Sequence, residues 1–402
     1  MIYRRICLHL KRVSLLRLTL INMGLLDELI SGFTFIGLPL LRDQLGLSYE
    51  QIGLIFSVAG CSSMLLDPLL FLLSDRGSKR WWILGGQLGL ACAFILAGSA
   101  HAFILLLAAF ALMGPAGAAA VALSQAALID SAPGDSARTI TRWTLLSSIG
   151  DFLSPFAVTT IVTSGLGWSG MCWIAAGCWL VTAVFVWSQP FPHPARFHGR
   201  ESNDPPVSVL AGLRQVLRDG ELLRWAVLSV LTTMLDEVFL AYVVLYLRDA
   251  LHASAPIIGV IVAIQMAAAF IGLFIMERLL GRIAPTRLLT IASSLTLVGV
   301  LGFLFVRTLW FAPIALFVLS LGSAGLYPLV ESEAYNRLPG RSGTIRAIIG
   351  GLGQPFEIVL PGIVGLIAGR FGLLASLGFL GFAPVLFLLL APRGNNMKNR
   401  HP

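Results

Sequence analysis

Residues 25–43 read LLDELISGFTFIGLPLLRD, and residues 234–249 read MLDEVFLAYVVLYLRD. Each is an apolar run broken by one acidic pair, Asp27-Glu28 or Asp236-Glu237, and closed by Arg42-Asp43 or Arg248-Asp249. The second copy has three residues fewer between its acidic pair and its Arg-Asp. At an offset of about 206 residues, a period long enough to hold a whole bundle, the correspondence continues in order. Ile52-Gly53-Leu54-Ile55 faces Ile258-Gly259-Val260-Ile261, and Pro133-Gly134 faces Pro339-Gly340. Gln125 falls opposite Glu331, and Asp130 opposite Asn336. The chain is one helical unit written twice.

Composition says what kind of unit. Of 402 residues, 57% are apolar and only 12% charged, with a mean hydropathy of +0.86. Soluble proteins carry about twice that charged share. A soluble enzyme, a secreted disulfide scaffold and a disordered chain are excluded. A helix needs about 20 apolar residues to cross a bilayer. Runs of that kind lie near 16–41, 51–73, 81–99, 102–128, 142–164 and 168–188, and again near 223–247, 255–279, 286–306, 309–334, 345–369 and 372–392. They are apolar all round, whereas strands of a membrane barrel alternate. The expected fold is an all-α membrane protein of twelve transmembrane helices in two pseudo-symmetric six-helix bundles. Its divisions are residues 1–188, a linker over 189–222, and 223–402 with a short tail. The linker opens with Pro190, Pro192 and Pro194 and ends in VSVLAGLRQVLRDG. There Val209, Leu210, Leu213 and Leu217 share one face, as in a short interfacial helix. An ordinary solvated loop accounts for the segment equally well.

The net charge of +8 is scattered between apolar runs, so it points to membrane orientation and not to nucleic acid. Of 28 Lys and Arg, only Arg42, Arg248, Arg307 and Arg370 fall on one side under the twelve-span count. The other 24, including Arg4, Arg5, Lys11, Arg12, Arg17 and the central linker, fall on the opposite side. By the positive-inside rule both termini and the linker are expected in the cytoplasm. The N-terminus is read as the lead into the first helix, since no small-residue cleavage site precedes Asp27-Glu28. Cys7, Cys61, Cys92, Cys172 and Cys178 form no CxxC spacing and no Cys/His ligand set, so neither a metal site nor a disulfide framework is expected. Because both copies begin on the same side, the repeat is parallel. Such paired halves hold a substrate site between them near the midplane.

Three further stretches resemble the major facilitator superfamily. Ser74-Asp75-Arg76-Gly77-Ser78-Lys79-Arg80, between the second and third spans, is similar to that family's G-x-x-x-D-R-x-G-R-R loop. Here the leading glycine is Phe71 and the inner glycine stands one place forward. Gly150-x-x-x-Ser154-Pro155 in the fifth span is similar to the G-x-x-x-G-P motif of proton-driven exporters, and the eleventh span looks alike. Phe110 stands roughly where those exporters place an arginine. The resemblance covers essentially the whole chain. It implies that Asp75, Arg76, Lys79 and Arg80 latch cytoplasmic helix ends together.

Acidic residues within the spans are the candidate chemistry. Each ionised one costs about 2.5–3.5 kcal/mol at a helix centre. Asp27, Glu28, Asp236 and Glu237 lie at midspan, Asp151 in the inner half of the fifth span, and Glu357 near the middle of the eleventh. No Lys, Arg or His lies at that depth. Six of them facing lipid would cost on the order of 15–20 kcal/mol, more than a fold's whole stability. They are therefore expected to face water, bind cations or carry protons. Burial raises a carboxyl pKa, which suits a proton carrier. Asp67, Glu331 and Glu333, near the cytoplasmic ends of their spans, are expected at a gate or latch. Gln125, Gln265 and Gln354 either line the cavity or hold helices together.

The function expected is secondary active transport of a small cationic, zwitterionic or neutral amphiphilic solute, with proton-coupled efflux favoured. An uptake permease and a lipid or lysolipid flippase are alternatives within transport. A membrane-embedded transferase or a receptor is the alternative outside it. No Walker A, GxSxG or HExxH motif appears, so an enzyme is not expected. No cofactor is expected beyond a proton gradient, and no partner beyond substrate and lipid bilayer. The chain is expected to act as a monomer in a bacterial inner membrane.

Overall fold

The computed structural model describes residues 2–47, 49–75, 78–131, 135–189, 191, 220–305, 308–337 and 342–390. The interfacial helix expected within 207–220 lies almost wholly outside these. Among the described residues every named element is helical, and a helical stretch falls on each of the twelve apolar intervals. They are α1 (Ile2–Ile36), α2 (Tyr49–Ser74), α3 (Lys79–Gly98), α4 (Phe103–Asp130), α5 (Ser136–Thr163) and α6 (Gly167–Ser188). In the second copy follow α7 (220–249), α8 (Ala255–Leu279), α9 (Pro285–Leu304), α10 (Ala312–Arg337), α11 (Ser342–Phe371) and α12 (Leu373–Leu390). Nine of these contain described segments long and apolar enough to cross a membrane. The other three, α1, α7 and α11, are those that carry Asp27-Glu28, Asp236-Glu237 and Glu357.

Local sequence explains where the helices start and break. Pro256, Pro285 and Pro313 sit in first turns, where the missing N–H has no intrahelical partner to lose. α1 stops at Ile36, turns at Gly37, and continues as Leu38–Leu45 with Pro39 in its first turn. The second copy runs without that turn, and this is where its three-residue shortening lies. α7 instead contains a π-helical turn, Met234–Val238, which holds Asp236 and Glu237. α4 has a π-helical turn of its own at Ala118–Ala122. Single π turns are widened points in a helix and recur at functional sites.

The chain divides into two units. Unit 1 holds residues 1–134, 142–214 and 338–350, and unit 2 holds 135–141, 215–337 and 351–402. The division follows the repeat except at two places: the start of α5 belongs with the second copy, and the start of α11 with the first.

Each unit is packed by helix crossings close enough to exclude a Cβ atom. In unit 1 a methyl on Gly86 of α3 would lie 2.7 Å from the Ala116 carbonyl of α4. In unit 2 a methyl on Gly322 of α10 would lie 2.8 Å from the Ala292 carbonyl and 2.7 Å from the Thr296 nitrogen, both on α9. Gly86 corresponds to Ala292, and Ala116 to Gly322, at the repeat offset. The same crossing is kept in both copies, with the glycine on opposite helices. Without a hydrophobic drive between helices in lipid, such close packing is a main source of association.

Candidate functional site

Three of the six midspan acidic residues lie on the two helices of one close crossing in unit 1, α1 and α5. Gly150 of α5 presses on the backbone of α1: a Cβ there would overlap the Leu25 carbonyl and lie 3.1 Å from the Leu29 nitrogen. Leu25 and Leu29 bracket Asp27 and Glu28, and Asp151 follows Gly150. One turn away, Gly24 of α1 packs on Ser147 and Trp143 of α5. Asp27 and Glu28 are half-buried, and Asp151 is exposed. The Ser31 hydroxyl donates to the Glu28 carbonyl oxygen at 2.8 Å and approaches its carboxylate at 3.5 Å. At 1.5 Å per residue, the nearest basic side chains along these helices, Arg17 and Arg142, are about 13–15 Å away. Next to Asp151 along α5, the Phe152 and Phe156 rings lie 5.6 Å apart, tilted at 53°, and are exposed.

The second copy is built differently. Asp236 and Glu237 lie in the π turn of α7 and Glu357 in α11, but their side chains, like that of Gln354, are outside the described residues. Gln125 is buried in α4, and Gln265 is half-buried in α8 with its Oε1 lacking a hydrogen-bond partner. Asp67 is buried one residue before Pro68 inside α2. Glu331 is 1% exposed and accepts a hydrogen bond of 2.8 Å from Ser229 of α7. This bond ties α7 to α10. Glu333 is half-buried on the same helix.

A second cluster lies at the basic end of unit 1. Asp75 accepts from the backbone N–H groups of Gly343 (3.0 Å) and Thr344 (2.6 Å) and from the Thr344 hydroxyl (2.7 Å). These are N–H groups that a helix start leaves unsatisfied, and an anion there also meets the positive end of the helix dipole. Lys79 bridges Asp75 and Asp130 at 2.9 Å each. Ser342 donates to Asp130 at 2.8 Å. Arg76 lies outside the described residues. Arg80 does not join this cluster; it donates to the Trp187 carbonyl at the end of α6.

Unit 2 repeats part of the scheme with its charges exchanged. Ser136, the counterpart of Ser342, donates to Asn336, the counterpart of Asp130, at 2.9 Å. Arg138 takes the place of Thr344, and Gly281, with φ +95°, that of Asp75. The Arg138 guanidinium donates to the Leu280 carbonyl, fills the space beside Gly281, and lies 4.0 Å from Glu277. Sequence reading singled out neither Ser342, Thr344 nor Arg138. The signal was present: Ser136 and Ser342 both open a span at the repeat offset.

A family model described as Major Facilitator Superfamily matches residues 20–355. The multidrug resistance protein MdtG of Salmonella arizonae is 26% identical over 327 residues, covering 76% of this chain and 77% of its own. MdtG of Proteus mirabilis is 26% identical over 381 residues, covering 90% and 91%. A crystal structure of the E. coli fucose:proton symporter FucP superimposes with a TM-score of 0.79 at 17% identity, over 93% of this chain and 97% of that one.

Proposed function

Because this chain belongs to the Major Facilitator Superfamily, we propose that it exports a small organic solute across a bacterial inner membrane in exchange for protons. The family and the fold are those of a secondary transporter. The observation that supports the proton coupling is the placement of Asp27, Glu28 and Asp151 at midspan on the two helices, α1 and α5, that Gly150 brings into close contact. A carboxylate so placed holds either a proton or a cationic group of the solute, and exchange of one for the other couples the two fluxes. The exposed Phe152–Phe156 pair beside it suits an amphiphile with a cationic, zwitterionic or neutral polar head. Export is favoured because the MdtG relatives carry the name multidrug resistance protein. The basic side of the spans is the cytoplasmic side.

Purified protein in liposomes tests this directly. An acid-inside gradient should drive a lipophilic organic cation such as ethidium into the vesicles as protons leave. Dissipating the gradient with an uncoupler should return uptake to that of protein-free vesicles. Equal uptake with and without the gradient would overturn proton coupling.

Asp75 acts in this reading as a latch on the cytoplasmic side. Asp75→Asn keeps an acceptor oxygen but removes the charge facing Lys79 and the start of α11, weakening the contact by about 1–2 kcal/mol. Ala347, buried on the first turns of α11, reports on it. A cysteine there, with the native cysteines replaced, should react with maleimide about tenfold faster in the Asn variant, as that energy implies. An unchanged rate rules out the latch.

A further inference from the structure

We propose that Arg80, Trp81 and Trp187 form a binding site for the phosphate of an anionic phospholipid headgroup at the basic face of the membrane. Trp81 lies in the first turn of α3 and Trp187 in the last turn of α6. Their rings meet edge to face, 5.6 Å apart at 77°. They nevertheless remain 61% and 59% exposed. On the outside of a membrane-spanning bundle, an exposed indole at a span end settles at headgroup depth, with its apolar body toward acyl chains and its N–H toward the polar layer.

Arg80 is held against this pair. Its guanidinium carbon is 5.8 Å from the Trp81 ring centroid and 5.7 Å from that of Trp187. Nη2 donates to the Trp187 carbonyl, an acceptor that a helix C-terminus leaves without an intrahelical partner. Nε is buried and has no hydrogen-bond partner. Among the described residues Nη1 makes no hydrogen bond. Among the described residues no carboxylate pairs with this charge; the neighbouring Lys79 is the one that takes Asp75 and Asp130. The result is a fixed, uncompensated guanidinium flanked by two lipid-depth rings. A planar guanidinium matches phosphate oxygens better than a flexible ammonium does, and the charge selects headgroups that carry net negative charge. The rings supply the apolar contact that a free phosphate ion would leave unused.

The test is thermal unfolding of the full-length protein in detergent, titrated separately with phosphatidylglycerol, phosphatidylcholine of the same chain length, and inorganic phosphate. Wild type should take phosphatidylglycerol about fivefold more tightly than phosphatidylcholine, the increment expected from one basic residue at a membrane surface. Inorganic phosphate should give no shift. Arg80→Gln retains a donor for the Trp187 carbonyl without the charge and should abolish the preference, while Arg80→Lys retains part of it. Arg287→Gln, which removes an exposed basic-face charge on α9, should leave the preference intact. Because the two lipids are compared within each variant, a general loss of stability cancels. Trp81→Leu, which spares the carbonyl bond, should reduce the preference independently. Equal shifts from the two lipids in wild type, a preference that survives Arg80→Gln or Trp81→Leu, or a shift reproduced by inorganic phosphate would each overturn the site.

Discussion

Asp27→Asn is expected to reduce gradient-driven solute uptake in proteoliposomes to the level of protein-free vesicles, while solute exchange without a gradient continues. The amide keeps the size and hydrogen-bonding capacity of the protonated acid, so solute can still bind and move but the proton no longer enters or leaves. Asp151→Asn and Glu28→Gln at the same crossing separate the carrier from its neighbours. A group that only packs would lower the melting temperature, by an amount equivalent to about 1 kcal/mol, and leave the pH dependence of uptake unchanged. Asp236→Asn and Glu237→Gln extend the series to the π turn of α7. Wild-type gradient-driven uptake in all five variants would remove these carboxylates from the coupling step and bring Glu357 forward.

Gly150→Ala should be as damaging to folding as the first variant is to transport. The added methyl meets backbone, the Leu25 carbonyl and the Leu29 nitrogen, so no side chain can swing aside. Overpacking of this kind costs about 1–3 kcal/mol in a core that can adjust, and two helix backbones adjust poorly. The expected result is a loss of about 3 kcal/mol or more, seen as a collapse of the monodisperse peak after extraction. Gly177→Ala is the control, since a methyl there meets nothing within 4 Å, and its stability should equal wild type or exceed it by up to about 1 kcal/mol, the helix preference of Ala over Gly. Equal stability of the two variants would mean that α1 and α5 do not touch at this point.

What the sequence made legible follows from periodicity and depth. Twelve apolar intervals of membrane length and an ordered repeat were enough to place the helices, and the Gly150 motif lay on a span that does pack closely. Directions around each helix were not legible. Lys79 and Arg80 read as one basic loop, but successive helical residues point about 100° apart. With α3 starting at Lys79, Lys79 faces Asp75 and Asp130 while Arg80 faces α6. Glu331 lies near a span end by count, which suggested a gate. Its helical face turns it toward Ser229 of α7, a partner that the count alone did not reveal. The three missing residues of the second copy were visible as a number, but that they mark the turn at Gly37 required the backbone.

The exchanged glycines at the α3–α4 and α9–α10 crossings carry a record of descent. One copy has Gly86 against Ala116, the other Ala292 against Gly322. Two duplicates that began identical can reach this mirrored arrangement by single substitutions along only two routes. One passes through alanine on both helices, which puts a methyl where a carbonyl already stands. The other passes through glycine on both helices, which leaves a small gap and no collision. Steric tolerance favours the second, so the duplicated ancestor, or an intermediate of at least one half, had glycine at both positions. The methyl that closed that gap came from opposite helices in the two copies.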